Sequence, residues 1–218
     1  MQFLSILTSS FLAVGLTAAS TPSSFTPSVE ADVGVIFSDN GSLLTLKAGT
    51  LISQNWTTDA PTLYLEDTTS TDGEYTVIMI DPTINEDGVL TTALHWYQPD
   101  LAYSSGVLKI SNTSAPSAEY VYPTPLEGPA HDYILLLYSQ PEDYSLPVCL
   151  ESLLPATDAA RLGFDIDEFE EVTGLGTPVA ANWFQVVNPT PATTTYAITS
   201  TLVSTYACEA TATATASS

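Results

Sequence analysis

Short blocks in which Val, Ile, Leu, Tyr, Phe and Trp alternate with polar residues recur along the chain, each closed by Gly, Pro, Asn or Asp. This period of two predicts strands over 33–37 (VGVIF), 43–47 (LLTLK), 62–66 (TLYLE), 75–80 (YTVIMI) and 93–97 (ALHWY). It also predicts strands over 106–110 (GVLKI), 133–139 (YILLLYS) and 182–187 (NWFQVV). The fold class expected is therefore mostly β. One stretch breaks the period. Phe164, Ile166, Phe169 and Val172 fall at helical spacing, with Asp165 placed as N-cap, Glu168 as the third helical residue and Gly174 as the stop, so a short amphipathic helix is expected there.

The two ends read differently. Residues 1–19 hold an uncharged apolar block followed by small residues, the shape of a secretory signal peptide; the block is too short and too broken by Ser and Thr for a membrane span. Residues 20–30 are rich in Ser, Thr and Pro and read as a flexible lead-in, leaving 31–188 as the folded domain. From 189 to 218 the chain is dominated by Thr, Ala and Ser, enough for an edge strand and a disordered end but not for a core. The expected location is extracellular or vacuolar. Glycosylation triplets at Asn40, Asn55 and Asn112 agree with export, as does the expected pairing of the two cysteines, Cys149 and Cys208, in one disulfide.

Charge narrows the partners. Against 25 acidic residues stand three cations, Lys47, Lys109 and Arg161, for a net charge of −22. Three cations cannot build the basic surface that releases counterions from a nucleic acid, so nucleic acid is excluded as a partner. The same field repels anionic membrane surfaces.

The chemistry-bearing residues sit where predicted strands meet loops. The chain has two histidines. His95 lies inside ALHWY, where strict alternation puts Leu94 and Trp96 on one face and His95 on the other. His131 follows a Pro/Gly turn and precedes the most apolar strand, with Tyr133 two residues on. Asp81 closes YTVIMI, and Pro82, which has no N–H to donate, marks where that strand is expected to stop pairing. An imidazole oriented by a carboxylate, a second imidazole and a phenol form a donor set suited to an oxyanion. No G-x-S-x-G, H-E-x-x-H, P-loop or C-x-x-C occurs, so neither an enzyme nor a cofactor is expected.

The pieces YTVIMIDP, LHWY, YPTPLEGPAHDYILLLY and RLGFDIDEFEEVTGLGTPVAANWF stand in the order and spacing of the phosphatidylethanolamine-binding protein family, and the resemblance runs from about 33 to 187. It implies an antiparallel β-sandwich with one or two short helices and an anion pocket formed by Asp81, His95, Pro125, His131 and Tyr133. The ligand implied is a small oxyanion or a phospholipid head group. Carboxypeptidase inhibition, known in a yeast member of the family, is the alternative. This chain departs from the family pattern in two places: Thr83 and Asn85 stand where a second acid and a proline are usual, and Asp132 replaces an arginine. A carboxylate at 132 facing the site would weaken an anion.

Overall fold

The computed structural model describes residues 19–65, 72–113, 115–154, 158–190, 194, 196–204 and 208. The signal-peptide reading of the first 18 residues and the expected disordered end beyond 208 lie outside these. Ten strands form, in chain order β1 Val33–Asp39, β2 Ser42–Thr45, β3 Thr50–Ile52, β4 Thr62–Leu65, β5 Glu74–Glu86, β6 Val89–Ser104, β7 Val107–Ile110, β8 His131–Gln140, β9 Ala180–Val186 and β10 Ser200–Leu202. The helix is where the caps placed it: α1 spans Ile166–Thr173, Asp165 accepts from the N–H groups of Asp167 and Glu168, and Gly174 closes it at φ 69°. Three short 3-10 turns, Gln54–Thr57, Val148–Leu153 and Asp158–Arg161, complete the elements.

Strand composition explains the layering. In β8 the run Tyr133–Tyr138 is buried throughout, so the strand must be covered on both faces. It lies inside a seven-stranded sheet of order β10-β6-β5-β8-β9-β3, with β7 attached to β6, and a three-stranded sheet β2-β1-β4 packs on one side. Between the sheets lie Val33, Val35, Phe37, Met79, Leu135 and Phe184. The opposite face of the large sheet carries Ile78, Ile80, Leu94, Ile134 and Leu136, and is covered by Phe164 and Phe169 with Leu150 of the 3-10 turn. The sandwich is thus antiparallel at its centre, while the edge pairings β10 with β6 and β3 with β9 are parallel.

The described segments that flank the strands are tied to this body. The 20–30 segment, expected as a flexible lead-in, is instead a folded loop: Ser20 and Thr21 are buried, Ser20 bonds Glu30 and Asp32, and Val29 and Phe25 pack on the helix-side core. Its polar composition hides this because the hydroxyls satisfy backbone groups locally, as when Val29 N–H donates to Thr21 Oγ1. At the other end β10 adds an exposed edge strand, and Cys208 is bonded to Cys149 across 59 residues. Among the described residues no helix is long and apolar enough to cross a membrane.

Candidate functional site

Two bulges build the site. The Asp81-Pro82 pair does not end β5, as expected from the missing N–H; it ends the pairing of β5 with β8, whose last partners are Ile80 and Ile134. Pairing with β6 continues after a skip from Asp81/Ala93 to Ile84/Thr91, which leaves Pro82 and Thr83 outside the ladder. The hairpin then turns through Asp87 and Gly88, both at positive φ, as a two-residue Asp-Gly turn requires. Asp81 is therefore released on its β8 side while still held in the sheet.

The second bulge corrects the face assignment in ALHWY. Met79 pairs with Trp96 and Ile80 with Leu94, so one residue, His95, is extra in β6. Leu94 consequently faces the helix side and Trp96 the inter-sheet side, where strict alternation would have put them together. The bulge aims the His95 ring at Tyr133, edge to face with centroids 5.1 Å apart. Tyr133 in turn stacks on Phe184 at 5.5 Å. A guanidinium braces the bulge from outside: Arg161 Nη1 donates to the carbonyls of Leu94 and His95 at 3.2 and 3.1 Å.

Each side chain is fixed by a specific partner. His131 Nδ1 donates to Asp81 Oδ2 at 2.7 Å, and Asp81 Oδ1 accepts from both the N–H and the hydroxyl of Thr83. His95 Nδ1 donates to the Val121 carbonyl at 2.8 Å, while Val121 N–H returns a bond to the His95 carbonyl. These bonds place the ring proton of each neutral histidine on Nδ1 and leave Nε2 for a ligand. Asn188 Nδ2 donates to the Pro125 carbonyl at 3.0 Å and so anchors the loop that carries Pro125.

All five residues expected from the sequence, Asp81, His95, Pro125, His131 and Tyr133, line one cavity of about 330 Å3. Arg161, Val121, Thr124 and Glu86 line it too and were not expected. Arg161 carried one signal in the sequence: it is one of three cations in a strongly acidic chain, and it is 5% exposed. A buried cation in such a chain has to be held by oxygen atoms, and here two backbone carbonyls do so.

Asp132, feared as an intruding carboxylate, points away. It follows His131 in an extended strand, so its side chain takes the opposite face, where Oδ1 accepts from Gln185 Nε2 at 2.8 Å. Thr83, standing where a second acid is usual, bonds Asp81 with its hydroxyl and accepts from the Asp132 N–H. Asn85 spans the hairpin turn to the C-terminal segment, accepting from Gly88 N–H and donating to the Tyr196 carbonyl.

Burial shapes the electrostatics. The pKa of His95 is lowered chiefly because its charged form loses water; Arg161 and His131 add to the effect, and the Val121 bond and Asp81 oppose it. The Tyr133 phenol is raised far above its usual range, first by burial and then by the negative charge of Asp81 and the hydrogen bond it gives that carboxylate, so it stays protonated. Among the described residues no three His, Cys, Asp or Glu side chains gather as a metal-ligand set. The chemistry on offer is a phenol, two imidazoles and a guanidinium, with the carboxylates of Asp81 and Glu86 and the Thr124 hydroxyl in the same walls. The three possible glycosylation acceptors, Asn40, Asn55 and Asn112, are all exposed and distant in sequence from these groups.

The family model described as phosphatidylethanolamine-binding protein matches residues 36–185. Phomoidride biosynthesis cluster protein N of Talaromyces stipitatus is 39% identical over 186 residues, covering 79% of this chain and 92% of that protein. A protein of the same name from another fungal species is 36% identical over 155 residues, covering 70% of this chain and 68% of that protein. Among solved structures, carboxypeptidase Y inhibitor complexed with its cognate proteinase superposes with a TM-score of 0.53 at 16% identity, over 74% of this chain and 85% of that one. That last likeness is one of fold.

Proposed function

Because the chain belongs to the phosphatidylethanolamine-binding protein family, we propose that the cavity between His95 and His131 captures a small oxyanion, free or as the head of a larger molecule, and that Asp81, His95, Pro125, His131 and Tyr133 are its binding residues. One observation carries this reading: four polar side chains from three different strands, with His95 held by the Val121 carbonyl and His131 by Asp81, converge on a single hollow of about 330 Å3. Sites of this kind, apolar walls with a few fixed polar groups, are built to hold small molecules. Tyr133 supplies an O–H, Arg161 supplies positive potential, and either imidazole becomes a second N–H donor once it takes up a proton.

The reading is of a binding protein and not a catalyst. Among the described residues of the cavity walls the one aliphatic hydroxyl is Thr124, and no hydrogen bond to either imidazole is seen that would activate it as a nucleophile. The relatives named for a phomoidride biosynthesis cluster favour a small organic molecule as the natural ligand over a membrane surface, and the net charge of −22 argues in the same direction. Export to an oxidising compartment, extracellular or vacuolar, is supported by the Cys149–Cys208 disulfide and by the exposure of the acceptors Asn40, Asn55 and Asn112. Inhibition of a carboxypeptidase is the second reading; it draws on likeness of fold, so the cavity is the better-supported feature.

Calorimetric titration of inorganic phosphate tests the proposal. The wild-type protein should bind with one site, and His131→Ala should lower the affinity at least about tenfold, the cost of losing one charge-assisted hydrogen bond. Equal heats for the two proteins would remove the cavity as the binding site. A mixing assay with carboxypeptidase Y tests the second reading: a stoichiometric complex with loss of peptidase activity would support it.

A further inference from the structure

The polar cavity has a larger neighbour. A second hollow of about 830 Å3 adjoins it, and the two share Glu86, Leu126 and His131 as a common wall. Its apolar lining comes largely from the chain ends and the segment entering β8: Phe25 of the N-terminal loop, Tyr196 and Ile198 of the C-terminal segment, Pro129 and Ile134. The C-terminal segment is held over this hollow by Asn85 Nδ2 on the Tyr196 carbonyl at 2.9 Å, by Thr199 N–H on the Gly88 carbonyl at 2.8 Å, and by the Cys208 disulfide beyond.

The two hollows differ in charge. Both are lined by carboxylates, Asp81 and Glu86 in the smaller and Glu86, Asp87, Glu127 and Asp132 in the larger, but among the described residues only the smaller adds a cation, the Arg161 guanidinium, and holds both histidines. Anything reaching from one into the other is therefore welcomed as an anion at one end and refused as an anion at the other. A hollow of about 830 Å3 with largely apolar walls has room for a hydrocarbon chain.

Resting on the oxyanion reading above, we infer that the natural ligand is a single-chain organic acid. Its one anionic end sits between His95, His131 and Tyr133. Its uncharged hydrocarbon passes His131 and Leu126 into the larger hollow, under Tyr196 and Ile198. The four carboxylates select against a second acid at the far end of the chain.

A titration series on the full-length protein, kept below micelle concentrations, tests this with acetate, octanoate and suberate, the eight-carbon diacid, beside inorganic phosphate. Each methylene withdrawn from water is worth about fourfold in affinity, so octanoate with about three methylenes buried should bind about 60-fold tighter than acetate. Suberate should lose that gain. Ile198→Asp, at a position 57% exposed and therefore tolerant of a polar side chain, should reduce octanoate affinity about tenfold and leave phosphate unchanged. Vesicles of diacyl phosphatidylethanolamine should not displace octanoate.

Phosphate binding with no gain from acetate to octanoate would overturn this inference while sparing the oxyanion reading. Suberate binding as tightly as octanoate, an Ile198→Asp variant that holds octanoate undiminished, or displacement by the vesicles would overturn it as well. Failure of phosphate and of all three acids to bind would overturn the oxyanion reading and this inference with it.

Discussion

His131 Nδ1 lies 2.7 Å from Asp81 Oδ2, and both side chains are almost wholly buried, so imidazole and carboxylate are held in one orientation with water excluded. The carboxylate fixes which ring nitrogen carries the proton and turns the other, Nε2, toward the cavity. Asp81 is itself held by the two bonds from Thr83, so the pair is rigid before any ligand arrives.

Asp81→Asn keeps the shape and one acceptor but removes the charge. It should lower phosphate affinity about tenfold, the worth of one charge-assisted hydrogen bond, with the far-ultraviolet spectrum unchanged. Asp81→Ala leaves the Thr83 donors and His131 without their acceptor in a buried site, and should cost about 3 kcal/mol in urea denaturation. Equal phosphate affinity in wild type and Asp81→Asn would show that the carboxylate plays no part in orienting the ring for a ligand.

His95 gives the site its pH dependence. Its folded-state pKa is below that of the unfolded chain, about 6.5, so as the pH falls through that value the unfolded state binds more protons and stability is lost; it returns toward neutrality. His95→Gln should flatten this slope in urea melts taken between about pH 5 and 7. Anion binding has the opposite sign. An oxyanion at Nε2 favours the imidazolium, so binding should take up a proton and strengthen with acid, in surroundings where Asp81 of β5 aids protonation and Arg161 and His131 oppose it. Calorimetry in two buffers of different ionisation heat measures the proton directly; zero uptake would contradict the role given to this ring.

Arg161 should prove structural and electrostatic at once. Arg161→Met removes the donors to the Leu94 and His95 carbonyls and the positive charge of the cavity wall. A loss of about 2–3 kcal/mol in stability is expected, together with weaker phosphate binding. Arg161→Lys should recover part of the affinity, because the charge returns, and less of the stability, because the fixed planar Nη1 that reaches both carbonyls is replaced by a freely rotating ammonium on a shorter stem. A variant with normal phosphate affinity would confine Arg161 to bracing the bulge.

Cys149→Ser should destabilise the domain by about 2–4 kcal/mol, since the bond closes a long loop in the unfolded chain. Cys208→Ser should do the same to within about 1 kcal/mol, because either change opens the same loop. Unequal losses in thermal melts would show that the two residues, both packed against the helix-side core, also contribute through packing and to different degrees.

The sequence carried the framework because burial writes its own period. The double-sided burial of β8 appeared as an unbroken apolar run, the half-buried strands as alternation, and α1 through Asp165 and Gly174 at its ends. The five cavity residues were legible through family spacing, helped at Asp81 by the Pro82 that follows it and at His131 by the Pro/Gly turn that precedes it. What stayed hidden depends on contacts between distant segments. The extra residue at His95 exists only because Met79 and Ile80 pair across it, and Arg161 reaches it from a 3-10 turn 66 residues away. The docking of residues 20–30 rests on hydroxyl bonds that composition does not reveal, and the larger hollow needs both chain ends in place.

The account as a whole stands on His95 and His131 facing one shared ligand. With two histidines in the chain, each ring gives one resolvable Cε1–H signal, assigned with His95→Ala and His131→Ala. Titration of the wild-type protein with inorganic phosphate, followed by proton NMR, should move both signals along one saturation curve with a common dissociation constant. Signals that move with two different constants, or a single signal that moves while the other stays still, would contradict a shared site.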